Sequence, residues 1–299
     1  MISILRNRKG YFFSLTVIIL LLLSALYFSV MTSPGHSREA AVASQRINEV
    51  DRFIRAMERD ASTGVNVASF RAILAMHNYT RDNGYFSQDG FDDVVSGLIL
   101  EGYLYGVMPS VMEESHMVEW MDRYVQTASM LGLELEFSDY DAGLYQEEPW
   151  IVKAFFSANI TVTDDFTSST WNKRMHAVSS HNITKFFDPL YTVETDNRFE
   201  QRIRVSPDPE GLHLGFYVAN NDAPGFLERF TGLQEGFGIE SLVDVPELAS
   251  VGVVRSGRPT NDWLFFSNTP FVECQVQGEP SWFIIDSDTQ GLYGVTCAP

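Results

Sequence analysis

The six histidines of this 299-residue chain (His36, His77, His116, His176, His181 and His213) are the first side chains to test for metal or acid–base chemistry. Their spacing supports neither. His176 and His181 lie five apart in a stretch that reads as strand, so they face opposite sides of a sheet and cannot hold one ion together. His77 precedes Asn78 in a helical pattern and reads as a core-edge side chain. Two acidic loops, Asp139-x-Asp141-x-Gly143 and Asp286-x-Asp288-x-x-Gly291, echo the start of a calcium loop. Their twelfth positions are Trp150 and Cys297, where that motif needs Glu, and ordinary Asp-Gly turn chemistry accounts for both. There is no Gly-x-Ser-x-Gly elbow, no phosphate loop and no dinucleotide fingerprint. The expectation is therefore no catalytic residue, no metal, no cofactor, and a protein that is not an enzyme.

Two further residue classes carry chemistry of modification. Cys274 and Cys297 are the only cysteines, and with an exterior location they predict a disulfide that ties down the C-terminal strand. Two buried free thiols are the alternative. Acceptor triplets for N-glycosylation begin at Asn78, Asn159 and Asn182; Asn159 falls on the polar face of its expected strand, and Asn182 shares a face with Thr184.

The exterior location comes from the N-terminus. Residues 11–31 (YFFSLTVIILLLLSALYFSVM) hold no charge, and about 20 apolar helical residues span a hydrocarbon core of about 30 Å. A transmembrane helix is predicted. Arg6, Arg8 and Lys9 precede it and no acidic residue occurs before Glu39, which places the N-terminus in the cytoplasm and the bulk of the chain outside. Three readings of this segment stand side by side. Lys9-Gly10 before a long apolar helix resembles the leader of type IV prepilins, cut after the Gly so that the mature chain begins at Tyr11, although the fifth mature position is Leu15 where bacterial pilins have Glu. An uncut anchor is the second reading. A cleaved secretory signal is the third, and the length of the apolar run argues against it.

Beyond Ser33-Pro34-Gly35, which interrupts the helix, residues 38–60 repeat apolar positions (Val42, Ile47, Val50, Ile54, Met57) at helical spacing, and the pattern resumes over 65–77. Two more helices are predicted over 89–103 and 110–131, with Asp89 and Ser110 as N-caps. After Gly132 the period becomes two. Strands are predicted over 150–162, 168–184, 198–205 and 212–219, helices over 223–233 and 239–248, and a terminal meander over 263–267, 271–277, 281–285 and 292–297. The expected fold class is α+β: a leader (1–10), a transmembrane helix (11–31), a helical stalk or base (37–132) and a mostly antiparallel β-rich exterior head (133–299).

With 21 basic against 39 acidic residues the net charge is −18, which disfavours nucleic acid as a partner. Only four of the basic residues are Lys, and an acidic, Lys-poor surface suits either concentrated salt or a genome-wide codon bias. At 45% apolar and 13% aromatic the chain is not disordered.

Several stretches resemble archaeal single-pass membrane proteins that begin with a type IV pilin-like segment. They are RINEVDRFIRAMERD (46–60), SFRAILAM (69–76), EPWIVKAFFSANITV (148–162), DPLYTVET (188–195), NDAPGFLERFTG (221–232), GIESLVDVPEL (238–248) and PSWFIID (280–286). The resemblance implies an archaeal cell-surface protein and carries no activity with it. The function expected is a minor pilin-like structural or adhesive component, its partners the lipid bilayer and other pilin-like or surface-layer subunits. A solitary exterior binding or sensing domain on a single-pass anchor is the alternative.

Overall fold

The computed structural model describes residues 8–31, 34–208, 211–233 and 236–299, with side chains described over 15–29 and from 41 onward. The chain divides into two units, Met1–Ala56 and Met57–Pro299. In the first unit, a mostly apolar, uncharged run without Pro or Gly after Gly10 forms α1 (Arg8–Met31), whose leucines at 20–23 are exposed. Among the described residues, to which α1 contributes side chains only from Leu15 to Ser29, no helix is long and apolar enough to cross a membrane. Lys9, Gly10 and Tyr11 lie in the first turns of α1, ahead of its described side chains. Where two helical patterns are expected over 38–77, one helix of 50 residues forms, α2 (Pro34–Asn83). Gly64, inside it, is closely packed: an added Cβ would stand 3.0 Å from the Trp120 ring.

In the second unit the later part of α2 is followed by α3 (Phe91–Glu101) and α4 (Met117–Met130). The expected caps are corrected. Asp89 does not cap α3, which begins after Gly90 with no side-chain cap, and Ser110 starts a separate short turn, while the His116 ring caps α4 by accepting from the Glu119 N–H at 3.3 Å. Gly102 in the left-handed region closes α3 through its N–H to Leu98 O.

The sheet that follows is antiparallel and ordered β1 (Leu133–Glu148), β2 (Ile151–Asp164), β3 (Thr170–Asn182). In β2 the even residues Val152 to Val162 are all buried, the alternation read from sequence. Trp120 of α4 meets Phe156 at 6.2 Å and Phe137 at 6.0 Å, so the apolar face of the sheet packs on the helices. No strand is expected over 133–148, where the whole of β1 forms. Its register shifts between Ser138 and Asp141, a bulge with Asp139 at φ 48°, so the first calcium-like stretch is a strand irregularity.

The remaining chain departs further from expectation. Residues 198–205 form only isolated bridges, Phe187 with Arg202 and Val205 with Tyr217. After α5 (Pro189–Glu194), β4 (Tyr217–Asn220) pairs with β5 (Gly238–Ser241); β5 occupies the start of the stretch expected to be helical over 239–248, and α6 (Val245–Ser250) its end. The 223–233 helix is reduced to one turn at Glu228–Phe230. The expected strand at 263–267 is instead α7 (Asp262–Phe266). β6 (Glu273–Gln275) pairs with β7 (Ile284–Asp286), and Cys297 reaches this pair through one bridge to Val276 rather than through a strand. Cys274 and Cys297 are joined in a disulfide, which packs into a cluster with Val218, Leu242, Val276, Phe283, Ile285 and Tyr293.

Candidate functional site

The most strongly built polar cluster surrounds Arg229, which has no solvent exposure. Asp188 caps α5 through the Leu190 N–H, and its other oxygen accepts from Arg229 Nη1 at 2.5 Å and from the Tyr217 hydroxyl at 2.8 Å. Asp262, at the start of α7, accepts from the same Nη1 at 2.9 Å and from Ser241. Arg229 Nε donates to Pro224 O, and Nη2 donates to Ile239 O. Beside them Glu240 accepts four bonds: from Asn261 and Tyr293 on one oxygen, from Asn220 and Trp263 on the other. Burial and the nearby Asp262 push Glu240 up to about 6, against the pull of the donors from Tyr293, Trp263 and Asn261. Burial likewise raises Asp188, with Arg229 opposing it. Burial alone would lower the guanidinium; the two aspartates outweigh it and hold Arg229 charged. Every nitrogen of Arg229 is committed to the protein, so this constellation holds together α5, β4, β5 and α7.

A second pair has the residue types of nucleophilic catalysis. Ser69 on α2 and His181 on β3 approach to 2.6 Å between Oγ and Nε2. The geometry argues against activation. The Ser69 hydroxyl donates to Val65 O at 2.5 Å, so its one proton is spent and His181 Nε2–H is the donor to Oγ, the tautomer opposite to that of a base. Both side chains are buried, and burial lowers His181, with Lys185 adding to the effect. The pair fastens helix to sheet. His176 is exposed on the other face of β3, as its spacing from His181 requires. His77 stacks on Phe187 at 5.9 Å, half-buried and lowered by burial. His213 meets Phe216 edge-on, and His36 lies outside the described side chains. Among the described residues no three metal-ligating side chains converge.

The third place is an open cleft of about 580 Å³. The first turn of α3 supplies Phe91, Asp92 and Asp93; β1 supplies Leu144 and Tyr145; the segment after Gly225 supplies Glu228. Its floor is set by Gln146, whose Oε1 accepts from the Phe226 N–H at 2.7 Å and whose Nε2 donates to Glu148 O and Pro149 O. Glu228 Oε2 is buried without a hydrogen-bond partner, and a Cβ on Gly225 would come within 2.3 Å of it. This cleft was not anticipated; Asp92 and Asp93 read in sequence as ordinary first-turn acids of a helix.

The modification sites are scattered. Asn78 is exposed on α2, but the Thr80 hydroxyl of its triplet is buried and donates to Met76 O. Asn159 bridges Asp139 and Arg174 across the sheet, and Asn182 is exposed, accepting from the Thr184 N–H and hydroxyl. No family model, no curated protein and no solved structure matches the chain.

Proposed function

We propose that this is a membrane-anchored cell-surface protein, a minor pilin-like structural or adhesive component, with residues 11–31 in the bilayer and the disulfide-closed unit outside. The observation that carries the reading is the Cys274–Cys297 bridge in a chain whose first helix, α1, contains the long uncharged, mostly apolar run 11–31. A bridge of this kind persists in an oxidising compartment, and the three basic residues before residue 11 orient the helix so that the C-terminal unit reaches one. Partners in this reading are the lipid bilayer and other pilin-like or surface-layer subunits. Because the Arg229 and Ser69–His181 constellations are closed and already saturated, they favour a binding or structural role over a catalytic one.

A solitary exterior binding domain is the second reading, favoured by the acidic cleft. Mass spectrometry of the native N-terminus separates the two. A chain beginning at Tyr11 supports the pilin route, whereas an intact Met1 overturns it and leaves the anchored binding domain. Protease shaving of intact cells tests both: release of peptides from residues 57–299 is expected, and their complete protection would sink the exterior location.

A further inference from the structure

The two ends of the β1–β2–β3 sheet carry surfaces of opposite charge, each built on exposed or half-exposed apolar groups. At one end Leu133 pairs with Asp164, which brings the turn before β1 against the turn between β2 and β3. Met130 and Phe166 stand on these two turns at 85% and 79% exposure, the two most exposed large apolar side chains among the described residues. Phe166 lies across Gly132, where an added Cβ would meet its ring at 2.7 Å. One exposed apolar residue needs no explanation, but two on adjoining turns make a patch of the kind that marks a contact surface. Its rim is acidic: Glu134, Glu136 and Asp165 are exposed and, among the described residues, take no cation.

Beyond the other end of β3 the sign reverses. The Asp188 and Ile203 N–H groups donate to Gln201 O and Phe186 O, so Phe187 and Arg202 stand opposite each other in an antiparallel pair. By the same alternation Arg204 shares their face while Gln201 and Ile203 are buried, and Lys185 is exposed beside Phe187. The Arg202 guanidinium lies 5.0 Å from the Phe187 ring centroid and that of Arg204 lies 5.8 Å from Phe216, which holds both cations against aromatic faces. Arg202, Arg204 and Lys185 have no carboxylate partner among the described residues, and Glu200, the acid of this segment, pairs with neither arginine. In a chain of net charge −18, two copies repel in most orientations, and this face is where the local charge is reversed.

We propose that these two surfaces join copies of this chain head to tail, the Met130–Phe166 tip of one seated on the Arg202–Arg204 face of the next. The ends are separated by the 13 residues of β3, about 40 Å at about 3.3 Å each, so the tip cannot reach the face of its own chain. The match is one of interface anatomy: Met and aromatic groups at the centre, opposite charges around them. Because the two surfaces differ, the contact is heterologous and builds rings or filaments. It involves residues 130–216 and does not depend on how the N-terminus is anchored.

The test is sedimentation velocity of the full chain in detergent, over a range of protein concentration. Oligomers that grow with concentration are expected. Glu134→Lys with Glu136→Lys, and separately Arg202→Glu with Arg204→Glu, place like charges across the contact and should each weaken self-association by roughly a hundredfold or more. All four residues are exposed, so both variants are expected to keep the parent melting temperature. An equimolar mixture of the two variants should associate again, since each reversed surface then meets its complement, a gain that misfolding cannot mimic. Carbodiimide cross-linking of isotopically light and heavy copies should join Lys185 of one to Glu134, Glu136 or Asp165 of the other. A parent chain that stays monomeric at its highest soluble concentration would overturn the proposal. So would parent-like association of both variants, as contact through the N-terminal helices would give, failure of the mixture to associate, or cross-links confined to single copies.

Discussion

Replacing Arg229 by Met keeps much of the side-chain length and removes the cation that, among the described residues, is paired with both Asp188 and Asp262. Both carboxylates are fully buried, and so is the guanidinium. Breaking a buried ion pair from one side costs about 3–5 kcal/mol because the partner's charge stays desolvated. Here two partners are stranded, and Ile239 O and Pro224 O lose a donor as well. The loss is therefore placed at the upper end, about 5 kcal/mol, which for a unit of this size lowers the melting temperature by roughly 10–20 °C. The pH dependence gives the sharper check. Asp188 is already raised by burial with Arg229 pulling it down, so without Arg229 it rises further. A carboxyl raised on folding favours the folded state below its unfolded value, and that advantage is lost as pH rises through the folded value. The defect should accordingly be smaller at pH 5 than at pH 8. Guanidinium denaturation followed by tryptophan fluorescence measures it, with Trp263 reporting from within the cluster through its bond to Glu240. A destabilisation below about 1 kcal/mol, the ordinary size of one net hydrogen bond, would refute the account, as would a defect equal at both pH values.

Reduction of the bridge, or Cys274→Ser with Cys297→Ser, opens a loop of sequence separation 23 and is expected to remove about 3 kcal/mol, read as a shift of the denaturation midpoint with and without reductant. Ser69→Ala leaves His181 Nε2 without its partner and should cost about 1–2 kcal/mol. Because burial lowers both His181 and His77, the stability they favour is present above about pH 6.5 and falls as the pH drops below it; His181→Phe should flatten that part of the stability–pH curve, and an unchanged slope would contradict the assignment. Gly238→Ala would place a Cβ 2.1 Å from Pro224 O and 2.3 Å from Gly225 N, both backbone atoms, and should cost about 1–3 kcal/mol in thermal melts while Gly211→Ala, facing a movable His213 ring, costs less.

How much of this was readable beforehand depends on whether a residue's neighbours lie near it in sequence. β2 is legible because its alternation is local and complete. β1 is not, since Asp139 and Asp141 sit at a bulge that breaks the period. The five residues of α7, Asp-Trp-Leu-Phe-Phe, are buried at four positions, and so short an apolar run carries neither a helical nor a strand period; its aromatic content pulls the reading towards strand. The pairing of the cysteines was expected from their number together with the exterior location inferred from the N-terminal segment. Arg229 is the opposite case. In Phe226-Leu-Glu-Arg-Phe230 it looks like the wet side of an amphipathic turn, and only Asp188 and Asp262, far away along the chain, make its burial tolerable. Glu240 is hidden the same way, its four donors coming from residues 220, 261, 263 and 293. The cleft is illegible because Asp92, Tyr145 and Glu228 meet only after the sheet and α3 have assembled.

The Arg229 cluster also sets an order of events during synthesis. Its guanidinium waits for a partner 41 residues earlier and another 33 residues later, and burying it before the second arrives would leave a desolvated charge half-compensated. A nascent chain can therefore form α2, α3, α4 and the β1–β2–β3 sheet while still tethered, whereas the region from α5 to α7 must stay open until Asp262 has emerged. A stop codon before residue 262 should thus yield a product whose sheet survives limited proteolysis and whose segment 186–261 is digested.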